Sequence, residues 1–94
     1  MASLNRPLLL RCKTAKGQHM IDMLTGDNTV EELKAVLFSI TGVDPTSLRV
    51  LVGFPPRELN LKNNLQKLDE ILNQQNRETL IIEERIDNYG LFFN

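Results

Sequence analysis

The chain of 94 residues carries 11 basic and 12 acidic side chains, a formal net charge of −1, and is 41% hydrophobic and 24% charged. That balance is typical of one small folded domain with a modest core, and it excludes a chain that is disordered throughout. The charges are intermixed, so there is no basic stripe for nucleic acid, and no apolar run approaches the roughly 20 residues a bilayer span needs. A lone cysteine, Cys12, excludes an internal disulfide, and the lone histidine, His19, has no ligand neighbours at zinc-type spacing. No metal or cofactor is therefore expected, and a reducing cytoplasmic or nuclear setting fits.

Residues 1–7 read as a flexible lead, because the basic-then-apolar start stops too soon for a secretory segment. Leu8, Leu10 and Cys12 then alternate with Arg11 and Lys13, the pattern of a half-buried first strand. Ala15-Lys16-Gly17 is a turn, and His19 to Leu24 is the returning strand of a hairpin. Its inner face is open: Met20, Asp22 and Leu24 on one phase, Ile21 and Met23 on the other. A helix is predicted over 29–41. Asn28 and Thr29 are both capping types, Thr29 with Glu32 fits a capping box, and Val30, Leu33, Val36, Leu37 and Ile40 form one apolar stripe. Gly42 suits a left-handed C-terminal cap, with Pro45 beyond it. Leu48 to Val52 is a strand stopped by Pro55 and Pro56, which lack the N–H a ladder needs. Leu59-Asn60-Leu61 is a candidate short strand. Leu61, Leu65, Leu68, Ile71 and Leu72 predict a helical turn or two within an Asn/Gln-rich connection, and Thr79 to Glu83 is the last strand. Residues 85–94 form a tail with Tyr89, Leu91, Phe92 and Phe93.

Hairpin, helix, strand, short strand, irregular segment and strand make an α+β fold: a mixed sheet with one main helix on one face. A long connection lets the last strand return to the sheet centre beside the first, which is the β-grasp layout. In this order and spacing residues 8–84 resemble ubiquitin, with Asn28 to Pro45 similar to its helix and following turn. Three departures bear on function. The chain continues past Glu84 as Arg85-Ile86-Asp87 with no Gly-Gly, so conjugation as a modifier is not expected. Of ubiquitin's apolar recognition patch only the central residue is matched, by Leu51, while Ala15 and Glu83 take the flanking positions; a buried Glu opposes apolar partners. The third departure is the Phe54-Pro55-Pro56-Arg57 loop.

That loop resembles the aromatic-Pro-Arg loop of UBX domains, and Arg11 stands where those domains carry a first-strand arginine. Leu10-Arg11-Cys12-Lys13, Ile40-Thr41-Gly42, Leu51 to Pro56 and Leu80 to Glu84 resemble more specifically the amino-terminal UBX-like domain of Otu1-type deubiquitinases. The resemblance implies a partner, the amino-terminal domain of the valosin-containing-protein AAA ATPase, a segregase. It also implies a site, with Phe54 and Pro55 inserted into a cleft, Arg11 in support, and Pro56 and Arg57 alongside. One bond in Phe54-Pro55-Pro56 is expected to be cis, and the domain is expected to act as a monomer. Asp87-Asn88-Tyr89-Gly90-Leu91-Phe92 resembles the segment around the ovarian-tumour protease nucleophile, but Gly90 replaces the cysteine and supplies no nucleophile. A recruiting module is thus the favoured reading and no catalysis is expected of this chain. The alternatives are a fragment or inactive form of a cysteine deubiquitinase, or a ubiquitin-like domain serving other ubiquitin-system partners.

Overall fold

Leucines at alternate positions start the sheet. In the computed structural model, which describes residues 7–85, β1 runs Leu9–Thr14 with Leu8, Leu10 and Cys12 buried and Arg11 and Lys13 exposed. The expectations for the lead before Pro7 and for the 87–92 stretch lie outside the described residues. Thr14 tightens the turn by accepting the Lys16 N–H at 3.0 Å, and Gly17 takes φ +145°, a value that favours glycine. β2, Gly17–Ile21, pairs antiparallel with β1, setting Ile21 opposite Leu10 and His19 opposite Cys12. Neither phase foreseen for the returning strand holds through Leu24. Ile21 and Leu24 are both buried, while Met20 and Met23 are 50% and 68% exposed. The strand ends at Ile21, so the two-residue period ends with it, and the loop turns Leu24 back onto Leu8 through a 2.9 Å backbone bond.

α1, Val30–Thr41, begins at the predicted capping box. The Thr29 hydroxyl accepts the Glu32 N–H, and Glu32 Oε1 accepts the Thr29 N–H at 2.8 Å. Thr29 is the N-cap, whereas Asn28 braces the preceding loop. Its Oδ1 accepts the Thr25 N–H at 2.7 Å and its Nδ2 donates to Glu32 Oε1 at 3.0 Å. Val30, Leu33 and Leu37 are fully buried, with Val36 and Ile40 packed at the margin of the core. Gly42 ends the helix at φ +75°, donating its N–H to the Phe38 carbonyl at 2.8 Å.

β3, Leu48–Val52, is followed by β4, Arg57–Glu58, the four-residue helix α2, Leu68–Ile71, and β5, Arg77–Glu84. The sheet order is β2-β1-β5-β3-β4, with β1 and β5 parallel at the centre. The short strand foreseen at Leu59-Asn60-Leu61 forms two residues earlier. Arg57 and Glu58 pair with Val52 and Leu51, and Leu59 follows the ladder, buried, with its N–H donated to the Val50 carbonyl. In the connection, Leu68 and Leu72 are buried while Leu65, in a turn, is 78% exposed. Val30, Leu33, Leu37, Val50, Leu80 and Ile82 share the core between α1 and the sheet, as the pattern predicts.

Candidate docking site

Strand alternation gives the sheet a second face, turned away from the helix. Val50, Val52, Leu80 and Ile82 point into the core, so Arg49, Leu51, Thr79, Ile81 and Glu83 lie on the outer face. Leu51 and Ile81 sit side by side there, half-buried. At the far end, Arg49 lies 3.4 Å from Glu58 and 3.3 Å from Glu83, and Arg85 reaches Glu58 at 2.9 Å. Glu83, which breaks the ubiquitin-like apolar patch, is thus held by Arg49.

The near end is set by the loop after β3. Val52 is the last strand residue, Gly53 takes φ +87°, and the Phe54–Pro55 bond is cis. Glycine is needed at that φ because a side chain would strain there. Phe54 is 100% exposed at the tip of this turn. Arg11 stands on the outer face of β1, between Met20 of β2 and Thr79 of β5. Leu51 pairs with Ile81, and continuing that antiparallel register sets Gly53 level with Thr79. Arg11 therefore faces the loop across β5, about 10 Å away at two strand spacings.

The fold thus brings Arg11, Phe54, Pro55 and Pro56 to one end of the sheet. Arg57 is placed differently. Its ladder partner is the buried Val52, so the pleat puts it on the core side, while Glu58, opposite Leu51, takes the outer face. Arg77, which the sequence alone does not single out, comes to the loop end as the first residue of β5, opposite Leu9. Its position depends on the parallel β1–β5 pairing, a non-local feature with no short-range sequence signal.

Cys12 has His19 as its cross-strand neighbour, but the thiol is fully buried and burial pushes its pKa up. An activating imidazolium would lower it instead. Among the described residues no cluster of three or more His, Cys, Asp or Glu side chains is placed to hold a metal ion, and no helix is long and apolar enough to cross a membrane.

Comparison with known proteins agrees with the fold. The chain is 39% identical over 77 residues to the ubiquitin thioesterase OTU1 of Gallus gallus, covering 82% of this chain and 25% of that one. It is 41% identical over 75 residues to the Homo sapiens ubiquitin thioesterase OTU1, covering 80% of this chain and 21% of the other. The chain thus spans about a quarter of the length of these curated relatives. Among solved structures, the ubiquitin-like domain of an Arabidopsis thaliana protein superposes with a TM-score of 0.70 at 14% identity, over 88% of this chain and 82% of that one. A designed protein based on ubiquitin superposes at 0.65 with 32% identity, over 89% and 95% of the two chains. The fold is therefore ubiquitin-like. The family model described as OTU1, UBXL domain matches residues 9–59, more than half of the chain and the whole span from β1 through the Phe54 loop to β4. The chain belongs to the OTU1 UBXL domain family.

Proposed function

We propose that this domain is a docking module that brings a ubiquitin thioesterase to the amino-terminal domain of the valosin-containing-protein AAA ATPase. The relatives are named for ubiquitin thioesterase activity, and the matched segment makes up 25% and 21% of their chains. In this reading the hydrolytic chemistry belongs to the rest of such a longer protein, and the UBXL domain supplies the address. The observation that carries the proposal is Phe54, fully exposed on the Gly53-Phe54-Pro55-Pro56 turn that leaves β3. A large aromatic side chain held out on a short turn does nothing for the core, and aromatic side chains are prominent among interface hot spots. Arg11 stands across β5 from the loop with no ion pair or side-chain hydrogen bond among the described residues, ready to donate to a partner's acceptors.

Burying a Phe side chain is worth about 1.5–3 kcal/mol, or about 10- to 150-fold in affinity. Titration of the chain with the segregase's amino-terminal domain should show Phe54→Ala weakening binding by that factor and Arg11→Ala by less. No binding of the wild-type chain at high micromolar concentration would refute the proposal. Equal binding by Phe54→Ala would keep the partner and move the site.

A further inference from the structure

We propose that Arg77 is a second cationic contact on the docking surface, and that the partner's apolar slot is bordered by carboxylates which Arg11 and Arg77 engage; this rests on the docking reading above. Arg77 opens β5 opposite Leu9, and Arg11 lies two residues further along β1, opposite Thr79. Leu80 and Ile82 point inward, so Arg77 and Thr79 lie on the outer face with Arg11. The two arginine Cα atoms are therefore about 8 Å apart on one surface, one strand spacing across and two residues along. Neither makes an ion pair or a side-chain hydrogen bond among the described residues.

Among the described residues no acid of the sheet pairs with either arginine, and Glu84 lies at the far end of β5. Glu58 and Glu83 pair with Arg49 and Arg85 at the opposite end, and Glu78 lies on the inner phase of β5, accepting the Thr79 N–H. Asp22, just after β2, is ion-paired to neither arginine among the described residues. Two neighbouring like charges on a sheet repel one another, so the folded domain gains no stability from holding both there.

They acquire a use on binding. The end of the sheet carrying them also carries fully exposed Phe54, half-exposed Met20 and half-buried Leu9. A partner that buries Phe54 covers this end and removes water from the guanidinium groups. A desolvated, unpaired charge is costly, so such a partner must present acceptors there. The planar fork of arginine takes a carboxylate through two parallel hydrogen bonds, which makes a carboxylate-bordered slot the complementary surface.

The test is titration of the intact chain with the segregase's amino-terminal domain at low and high salt, for wild type, Arg77→Glu, Arg77→Ala and Phe54→Ala. Arg77→Glu should weaken binding about 10- to 100-fold at low salt, the range for a lost charge-assisted contact, and flatten the salt dependence. Arg77→Ala, which adds no new charge, should move both readouts in the same direction by less. Neither variant should melt below the wild type, since Arg77 makes no ion pair or side-chain hydrogen bond among the described residues. Wild-type affinity and salt dependence in both Arg77 variants, with Phe54→Ala impaired, would overturn the Arg77 contact and leave the docking reading standing. Failure of the wild-type chain to bind would remove the docking reading and this inference with it.

Discussion

Replacing Leu33 by alanine removes three carbons from the centre of the packing between α1 and the sheet. Leu33 is 0% exposed and lies in the same core as Val30, Leu37, Val50, Leu80 and Ile82. The transfer contribution is about 0.8 kcal/mol per carbon, roughly 2.4 kcal/mol, and the cavity left behind raises the total to about 2.7–5 kcal/mol. A domain of this length has about 5–14 kcal/mol to lose, so the variant should remain folded at low temperature or be near its limit. The melting temperature should fall on the order of 10–40 °C. Thermal and urea unfolding followed by far-UV circular dichroism measures this. The informative control is Phe54→Ala in the same assay. A fully exposed side chain should change stability by no more than about 0.5 kcal/mol. If Leu33→Ala costs less than about 1 kcal/mol, the helix does not seat on the sheet as described. If Phe54→Ala costs as much as Leu33→Ala, Phe54 belongs to the core and is not free for a partner.

Two further outcomes follow from ionisable groups. Hydrogen bonds from the Asn28 amide, and then from the Thr29 N–H, hold the Glu32 carboxyl below its ordinary pKa. Its folded value is thus lower than its unfolded one, so its contribution is present at neutral pH and is lost as pH falls through the lowered value. Glu32→Gln, which keeps an acceptor oxygen, should remove that part of the acid-side loss of stability; an unchanged pH profile would show that the capping box does not form in solution. Cys12, buried and with its thiol pKa pushed up, should resist a thiol reagent in the native protein at neutral pH and label quickly in denaturant. Rapid labelling of the folded chain would contradict the placement of β1.

What the sequence revealed was what local chemistry controls. α1 was legible at both ends because Thr29, Glu32 and Gly42 satisfy the backbone groups that a helix leaves unpaired, and those partners lie within a few residues. β1 was legible because Leu8, Leu10 and Cys12 keep a strict two-residue period. The exposed aromatic-Pro-Pro turn was legible through its resemblance to UBX loops rather than through any property of the residues themselves. Strand limits were harder. Leu59 and Leu61 alternate like a strand, but Leu59 is buried through its bond to Val50 after the ladder has ended. Leu65 falls at helical spacing from Leu61 and Leu68, yet it sits in a turn where Asn63 Oδ1 accepts its N–H at 3.0 Å. The sides taken by Arg57 and Arg77 depend on which strand pairs with which, and pairing partners 5 to 68 residues away in sequence leave no local trace.

Amide chemical-shift mapping reads out whether the Phe54 end of the sheet is the binding surface. The isotope-labelled chain would be titrated with the segregase's amino-terminal domain. The largest changes should fall on Gly53, Phe54 and Arg57 in the loop region and on Arg11, Arg77 and Thr79 across the outer face. Lys34, Ser39 and Asn64 on the helix side should stay in place. Changes centred on α1, with the Phe54 amide unmoved in a saturated complex, would place the binding surface on the helix instead.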